Sequence, residues 1–247
     1  MKRIMITGAS GILGRHVVSC LRLRLPDAEL ITFKGDLTEP DNVHRQVGSL
    51  TDLDALIHLA AIVPVRKVEQ DPARAYSVNA GGTIQLLGAV VEAGLRPFVF
   101  HCSTGHVYAP SGEPLNESAP TAPHSLYGRT KWMGETAAMD ICTAAPIPLC
   151  VGRLFSIHDP AQTGDYLRPT MERRLKTENL DEPFHLHGAD SVRDFLPASH
   201  AAELIVRLCL ARAEGIVNIG SGNGTRIRDF VQSLSERPLN IVPRGQP

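Results

Sequence analysis

The chain of 247 residues, 43% of them apolar, is long enough to bury one large α/β core, alone or with a small appendage. A net charge of −1 and a pI near 6.8 exclude the strongly basic surface that nucleic acid or an anionic membrane would need. Five cysteines without a Cys-x-x-Cys pair point to a reduced, cytoplasmic chain, and neither a leader nor an apolar run of membrane-spanning length is evident.

The first predicted element is a strand over the apolar run that begins at Ile4. It stops at Gly8; Gly11 and Gly14 follow, then a helix whose apolar face carries Leu13, Val17 and Leu21, with Cys20 beside them. Gly8 can take the positive φ of a tight turn, Gly11 has no Cβ to block a phosphate, and Gly14 lets the helix lie close on the strand. The N–H groups at the helix start, around Ser10, Gly11 and Ile12, together with the helix dipole, then make a seat for a pyrophosphate.

A second strand is expected over Glu29–Phe33. Many NAD enzymes place an acid at its end to bind the adenosine ribose; here Lys34 stands there. With Arg15 just past the third glycine, that cation favours the 2′-phosphate of NADP over NAD. Asp36 and Leu37 come next. Asp36 is placed either to hold the adenine amino group or to cap the helix beginning Pro40-Asp41-Asn42-Val43.

Asp54–His58 is a third strand, and it runs into Leu59, Ala60 and Ala61, small enough at Ala60 and Ala61 for a cofactor backbone to pass. Ser77-Val78-Asn79-Ala80 is expected to open a helix through Ile84, Leu87, Val90 and Val91, stopped by Gly94. A strand from Pro97 to Cys102 then delivers Ser103 and Thr104. Strands alternating with helices predict parallel βαβ units and a doubly wound sheet, with Gly11, Ala60, Ser103 and Thr104 converging beyond its carboxyl edge.

A proline-rich loop from Ala109 to Ser125 leads into a helix bearing Tyr127 and Lys131, four apart and so on one face. Pro146–Phe155 reads as the next strand. Beyond Asp159 the alternation weakens, leaving signal at His187–Phe195, at a helix over Ala201–Leu210, and at Gly215–Gly222. This pattern predicts a dinucleotide-binding domain over 1–156 and a small substrate-binding lobe over 157–247, its elements interleaving with the main sheet.

A tyrosine hydroxyl ordinarily ionises at about pH 10, so work as a base at neutral pH needs a shift of roughly 3 units, or about 4 kcal/mol. One cation about 4 Å away supplies on the order of 4 kcal/mol at an effective dielectric of about 20. Lys131 is spaced to be that cation. Tyr127 is then suited to move a proton at a sugar hydroxyl or ketone while a nicotinamide carries the hydride, and Thr104 to orient the same oxygen. A Tyr-x-x-x-Lys pair also arises by chance on ordinary helices. What argues against chance is the order: glycine turn, hydroxyl pair after a later strand, Tyr-Lys on the next helix.

Thr7-Gly8-x-x-Gly11-x-x-Gly14, Leu59-Ala60-Ala61, Ser103-Thr104-x-x-Val107-Tyr108 and Tyr127-x-x-x-Lys131 together resemble the extended short-chain dehydrogenase/reductase superfamily, in particular its NAD(P)-dependent epimerase/dehydratase group acting on nucleotide sugars. Arg193-Asp194-Phe195 and Asn218-Ile219-Gly220 resemble the substrate-domain motifs of that group. The resemblance implies a Rossmann-type fold with a small C-terminal lobe. It also implies Tyr127 as acid/base, Lys131 as its partner and ribose ligand, and Thr104 as the contact to the substrate oxygen. By resemblance the cofactor set comprises Gly8, Ser10, Gly11, Ile12, Gly14, Arg15, Lys34, Asp36, Leu37, Leu59, Ala60, Ala61, Asn79, Ser103, Tyr127 and Lys131. Thr104, His106, Ser156 and Arg193 face the substrate, Arg193 at its pyrophosphate. A homodimer joined through the helices starting near Asn79 and Tyr127 is implied as well.

Departures from the family pattern narrow the reaction. Dehydratases of the group carry an acidic pair after the Thr104 position, where this chain has Gly105 and His106, so elimination is disfavoured. Ser156 stands for a usual asparagine and His200 for a usual aspartate. The lobe is trimmed, and the run from Phe33 to Asp36 resembles dTDP-4-dehydrorhamnose reductases. A nucleotide-sugar 4-ketoreductase or epimerase is expected. The alternatives are a reductase of a small free sugar or other carbonyl, and an NADP-sensing regulator without turnover. His101, His106, His124, His185 and His187 lack the spacing of a ligand set, and no metal is expected.

Overall fold

The computed structural model describes residues 1–245. The chain runs β1 (Arg3–Thr7), α1 (Ile12–Arg24), β2 (Glu29–Thr32), α2 (Pro40–Gly48), β3 (Ala55–His58), α3 (Val65–Gln70) and α4 (Pro72–Tyr76). A π turn (Ser77–Gly81) leads into α5 (Gly82–Glu92) and β4 (Phe98–Thr104). A 3₁₀ turn (Gly105–Val107) precedes α6 (Leu126–Ala144), β5 (Leu149–Leu154), β6 (Ser156–His158), α7 (Leu167–Thr177), β7 (Phe184–His187) and β8 (Val192–Pro197). The remainder is α8 (Ala198–Ala211), β9 (Gly215–Ile219), β10 (Gly224–Arg226), α9 (Ile227–Ser233) and β11 (Ile241–Arg244).

The chain divides into two compact units. The first holds Met1–Leu154 and Ala198–Ile219; the second holds Phe155–Pro197 and the segment from Gly220 onward. In the first, six parallel strands form one sheet in the order β2-β1-β3-β4-β5-β9. The order reverses between β1 and β3, and the crevice at such a reversal, beyond the carboxyl ends, is where open α/β sheets take ligands. The α8–β9 segment, which a division near residue 157 groups with the lobe, belongs to this sheet because β9 pairs along the whole outer edge of β5.

Every residue of β4 is buried, as a central parallel strand covered on both faces requires. Side chains two apart share a face, and one face changes character along its strands. At its amino half Met5, Leu56 and Val99 lie in one apolar cluster with Leu86, Leu87 and Val90 of α5 and Ala138 and Cys142 of α6. Two residues further on, the register aligns Thr7, His58 and His101, and beyond them Ser103 beside Arg153. Polar side chains thus gather, buried, at the carboxyl end.

Three local findings depart from the sequence reading. Glu39, not Asp36, is the N-cap of α2; the Asp36 carboxylate accepts instead from Thr38 N–H and pairs with Arg74. The helix expected from Ser77 starts five residues earlier at Pro72, capped by Asp71, and widens into the π turn before continuing as α5. The strand expected to reach Phe155 ends at Leu154. The proline-rich loop holds to β9 through Asn218, which donates its backbone N–H to Glu117 and its side-chain amide to Leu115 O.

In the second unit β10-β8-β6 and β11-β7 form two small sheets. Met171, Phe184, Leu186, Ala189 and Val231 make its core. Phe195 stacks on Phe230 with ring centroids 4.0 Å apart. Asp194 accepts from Ser221 N–H, Ser221 Oγ and Gly222 N–H, all within 2.8 Å, and so fixes the turn after Gly220.

Candidate functional site

At the β1–α1 turn Gly8 has φ +68, and a Cβ there would lie 2.7 Å from Ala60 N, so glycine is required twice over. A Cβ on Gly14 would collide with the Gly8 carbonyl. Gly11 is the N-cap of α1 and brings no side chain to cover the first N–H groups of the helix. The turn is therefore built of backbone alone, with Ser10, Gly11 and Arg15 exposed around it. A dinucleotide diphosphate fits such a cradle.

Lys34 is exposed beyond β2, its backbone N–H bonded to Gln46 and its carbonyl to Asn42 and Gln46. The Asp36 carboxyl is held below its ordinary pKa, first by Thr38 N–H and also by the Arg74 guanidinium. Leu37 is buried against Gly82, where a Cβ would lie 2.9 Å from the Leu37 Cβ.

The Leu59–Ile62 segment after β3 is clamped at both ends. Thr7 Oγ1 accepts from Leu59 N–H and Ala60 N–H, each at 3.2 Å. Asn79 accepts from Ile62 N–H at 2.7 Å and donates to Ile62 O at 3.0 Å and to Thr130 Oγ1 at 2.9 Å. Asn79, expected among the cofactor contacts, is 1% exposed and spends its amide on this loop and on α6. Thr130 passes its own proton to Tyr127 O at 2.8 Å, so the clamp reaches the helix that carries the tyrosine.

Ser125 caps α6 by accepting from Gly128 N–H at 3.0 Å. One turn in, Tyr127 and Lys131 lie on one face, both buried. Gly128 lets the helix start press on the His106 carbonyl, where a Cβ would collide. Thr104 ends β4, and its Oγ1 accepts from His106 N–H at 3.3 Å. The His106 ring meets Tyr127 edge-on, centroids 5.5 Å apart. Thr104, His106 and Tyr127 are thus linked one to the next at the end of β4, and Lys131 follows one turn along the helix face of Tyr127. Burial lowers the Lys131 pKa, and Cys102 and the Glu135 carboxylate oppose that effect.

Ser103 turns inward. Its hydroxyl donates to Glu135 at 2.5 Å, and Glu135 pairs with Arg153 at 2.6 Å. The Arg153 guanidinium lies over the Tyr108 ring, 4.6 Å from its centroid, and Tyr108 donates to Asn218 Oδ1 at 2.6 Å. Sequence reasoning missed this network, as it missed Thr7, His58 and Thr83. Two signals were present: an arginine inside an otherwise apolar strand, and a glutamate one turn after Lys131 on the same helix face.

Ser156 and Arg193 belong to the second unit. Ser156 opens β6 opposite Phe195, and Arg193 is exposed on β8 opposite Thr225. Among the described residues no three His, Cys, Asp or Glu side chains gather as metal ligands, and no helix is long and apolar enough to cross a membrane.

A tyrosine and a lysine on one buried helix face, with a threonine hydroxyl at the end of β4, are chemically suited to exchange a proton with a substrate oxygen. The family model for the NAD dependent epimerase/dehydratase family matches residues 4–220. A UDP-glucose 4-epimerase of Rhizobium meliloti is 26% identical, the match covering 96% of this chain and 83% of that protein. A GDP-6-deoxy-D-mannose reductase of Pseudomonas aeruginosa is 28% identical over 95% of this chain and 80% of its own length. In fold, the chain is similar to the Thermus thermophilus UDP-glucose 4-epimerase complex with NAD, with a TM-score of 0.82 at 24% identity over 98% of this chain and 86% of that one. It is also similar to RMD from Pseudomonas aeruginosa complexed with NADPH, with a TM-score of 0.85 at 24% identity over 100% and 86%. The chain belongs to the NAD-dependent epimerase/dehydratase family and is an enzyme of its nicotinamide-dependent kind.

Proposed function

We propose that this enzyme moves a hydride and a proton at one carbon of a nucleotide-linked sugar, as a 4-ketoreductase or an epimerase. The observation that carries the reading is the buried Tyr127–Lys131 face of α6, with Tyr127 edge-on to His106 and His106 bonded through its N–H to Thr104. Tyr127 holds or releases the proton at the sugar oxygen, Lys131 stabilises the phenolate by charge, and Thr104 orients the same oxygen. The nicotinamide supplies or accepts the hydride when bound. His106 and Ser156 contact the substrate, and Arg193 binds its diphosphate. Relatives named as UDP-glucose 4-epimerase and GDP-6-deoxy-D-mannose reductase support both reactions. Gly105 and His106 supply no acidic pair for elimination.

NADP is the favoured cofactor, with Lys34 and Arg15, both exposed, meeting its 2′-phosphate. The enzyme works as a homodimer through α5 and α6, where Ile84, Trp132 and Met133 are exposed by 39–50%. The test is turnover of NADPH and NADH with a panel of 4-keto nucleotide sugars, beside interconversion of UDP-glucose and UDP-galactose. Tyr127→Phe is expected to lower turnover by orders of magnitude while cofactor affinity stays similar; full activity in that variant overturns the assignment.

A further inference from the structure

Beneath the glycine turn runs a hydrogen-bond chain whose direction is fixed by counting protons. Thr7 Oγ1 accepts from two backbone N–H groups, Leu59 and Ala60, each at 3.2 Å, which occupies both lone pairs. Its single proton must then go to His58 Nδ1, 2.6 Å away. With Nδ1 accepting, a neutral ring carries its proton on Nε2, and Nε2 lies 3.0 Å from Thr83 Oγ1. Thr83 in turn gives its proton to Asn79 O at 3.0 Å. A single ring state, the neutral Nε2–H imidazole, satisfies every link. His58, Thr7 and Thr83 are at most 2% exposed, which keeps the chain of bonds away from bulk solvent. Burial and the Lys131 charge, which press the His58 pKa down to about 3, act in the same sense.

Ala60 N is the nearest of three backbone atoms of Leu59 and Ala60 that a Cβ at Gly8 would strike. The Thr7 hydroxyl that pulls Ala60 N–H inward therefore sets the width of the turn. We propose that His58 is a positioning residue for the dinucleotide: by accepting the Thr7 proton it leaves both lone pairs of that hydroxyl for Leu59 and Ala60, and so holds the wall of the cradle at the spacing Gly8 allows. Through Thr83 and Asn79 the same ring bears on Ile62, the other end of the clamped segment. The proposal needs the nicotinamide cofactor of the family and not the sugar reaction proposed above, so the two stand or fall separately.

Three substitutions in the full chain, read by NADPH and NADH binding through cofactor fluorescence, test it. His58→Asn keeps an acceptor near the Nδ1 position, His58→Gln keeps a donor near Nε2 only, and Thr7→Val removes the hydroxyl. His58→Gln and Thr7→Val are expected to weaken dinucleotide binding about tenfold, and His58→Asn by less than about threefold, with similar melting temperatures for the two His58 variants. Equal loss in His58→Asn and His58→Gln, or no loss in His58→Gln, overturns the proposal. The unsubstituted protein gives an independent check if a variant fails to fold. Long-range ¹H–¹⁵N spectra are expected to show His58 protonated on Nε2 and bare on Nδ1 throughout about pH 5 to 9. An Nδ1–H or doubly protonated ring in that range overturns it as well.

Discussion

Glu135 on α6 and Arg153 on β5 face each other out of reach of solvent, Arg153 Nη2 2.6 Å from Glu135 Oε1, with side chains 4% and 0% exposed in that order. Such a pair is costly to break from one side, because the remaining charge stays buried. Glu135→Gln is expected to lower stability by about 3–5 kcal/mol. Glu135→Gln combined with Arg153→Met is expected to cost less than Glu135→Gln alone. Denaturant unfolding of both variants decides the point, and a single variant within error of the parent would mean the pair is hydrated.

His101 offers the opposite case. It is fully buried, and neither ring nitrogen has a hydrogen-bond partner among the described residues. Burial, then the charge of Lys131, holds its pKa well below the usual value. An unfolded histidine takes up a proton below about pH 6.5 while the buried ring does not, so His101 drains stability progressively as pH falls below that point and adds no pH dependence above it. His101→Phe is expected to raise stability by about 1–2 kcal/mol at neutral pH, and by more at pH 5. Melting temperatures across that range give the answer; a variant no more stable than the parent in acid refutes it.

Gly128→Ala separates helix propensity from geometry. Alanine favours a helix interior over glycine by about 1 kcal/mol. The added methyl, however, meets the His106 carbonyl on the backbone of the turn that holds Thr104. The expected outcome is a loss of about 1–3 kcal/mol in stability and at least a tenfold fall in kcat. Unfolding curves and steady-state kinetics on one preparation test both.

Lys34→Asp places a carboxylate where a ribose hydroxyl, rather than a phosphate, is recognised. The ratio of NADPH to NADH affinity is expected to fall by about tenfold or more. An unchanged ratio removes Lys34 from cofactor selection.

What the sequence disclosed was whatever is local. The stop at Gly8, the spacing to Gly14 and the step from Tyr127 to Lys131 are short-range patterns with a steric or helical cause, and the all-buried β4 declares itself by its apolar run. The support beneath them is not local. Thr7 meets Ala60, Asn79 meets Thr130 and Tyr108 meets Asn218 across separations of 53, 51 and 110 residues. No periodicity links such pairs; the strand register does. Asp36 shows the limit within a single loop: its carboxylate holds Thr38 nearby and the distant Arg74, a partner no local pattern points to.

The widened turn at Ser77–Gly81 carries a practical corollary for editing this chain. A π turn arises when one residue more than an α-helix needs is lodged in the coil. Deleting that extra position would let α4 and α5 run on as one regular α-helix with their flanking turns in register, while the residues inside the bend, Asn79 among them, would change face. Ile62 would lose its amide anchor. A shortened homologue built by trimming this bend should therefore fold as a helix and forfeit the loop it was shaped to hold.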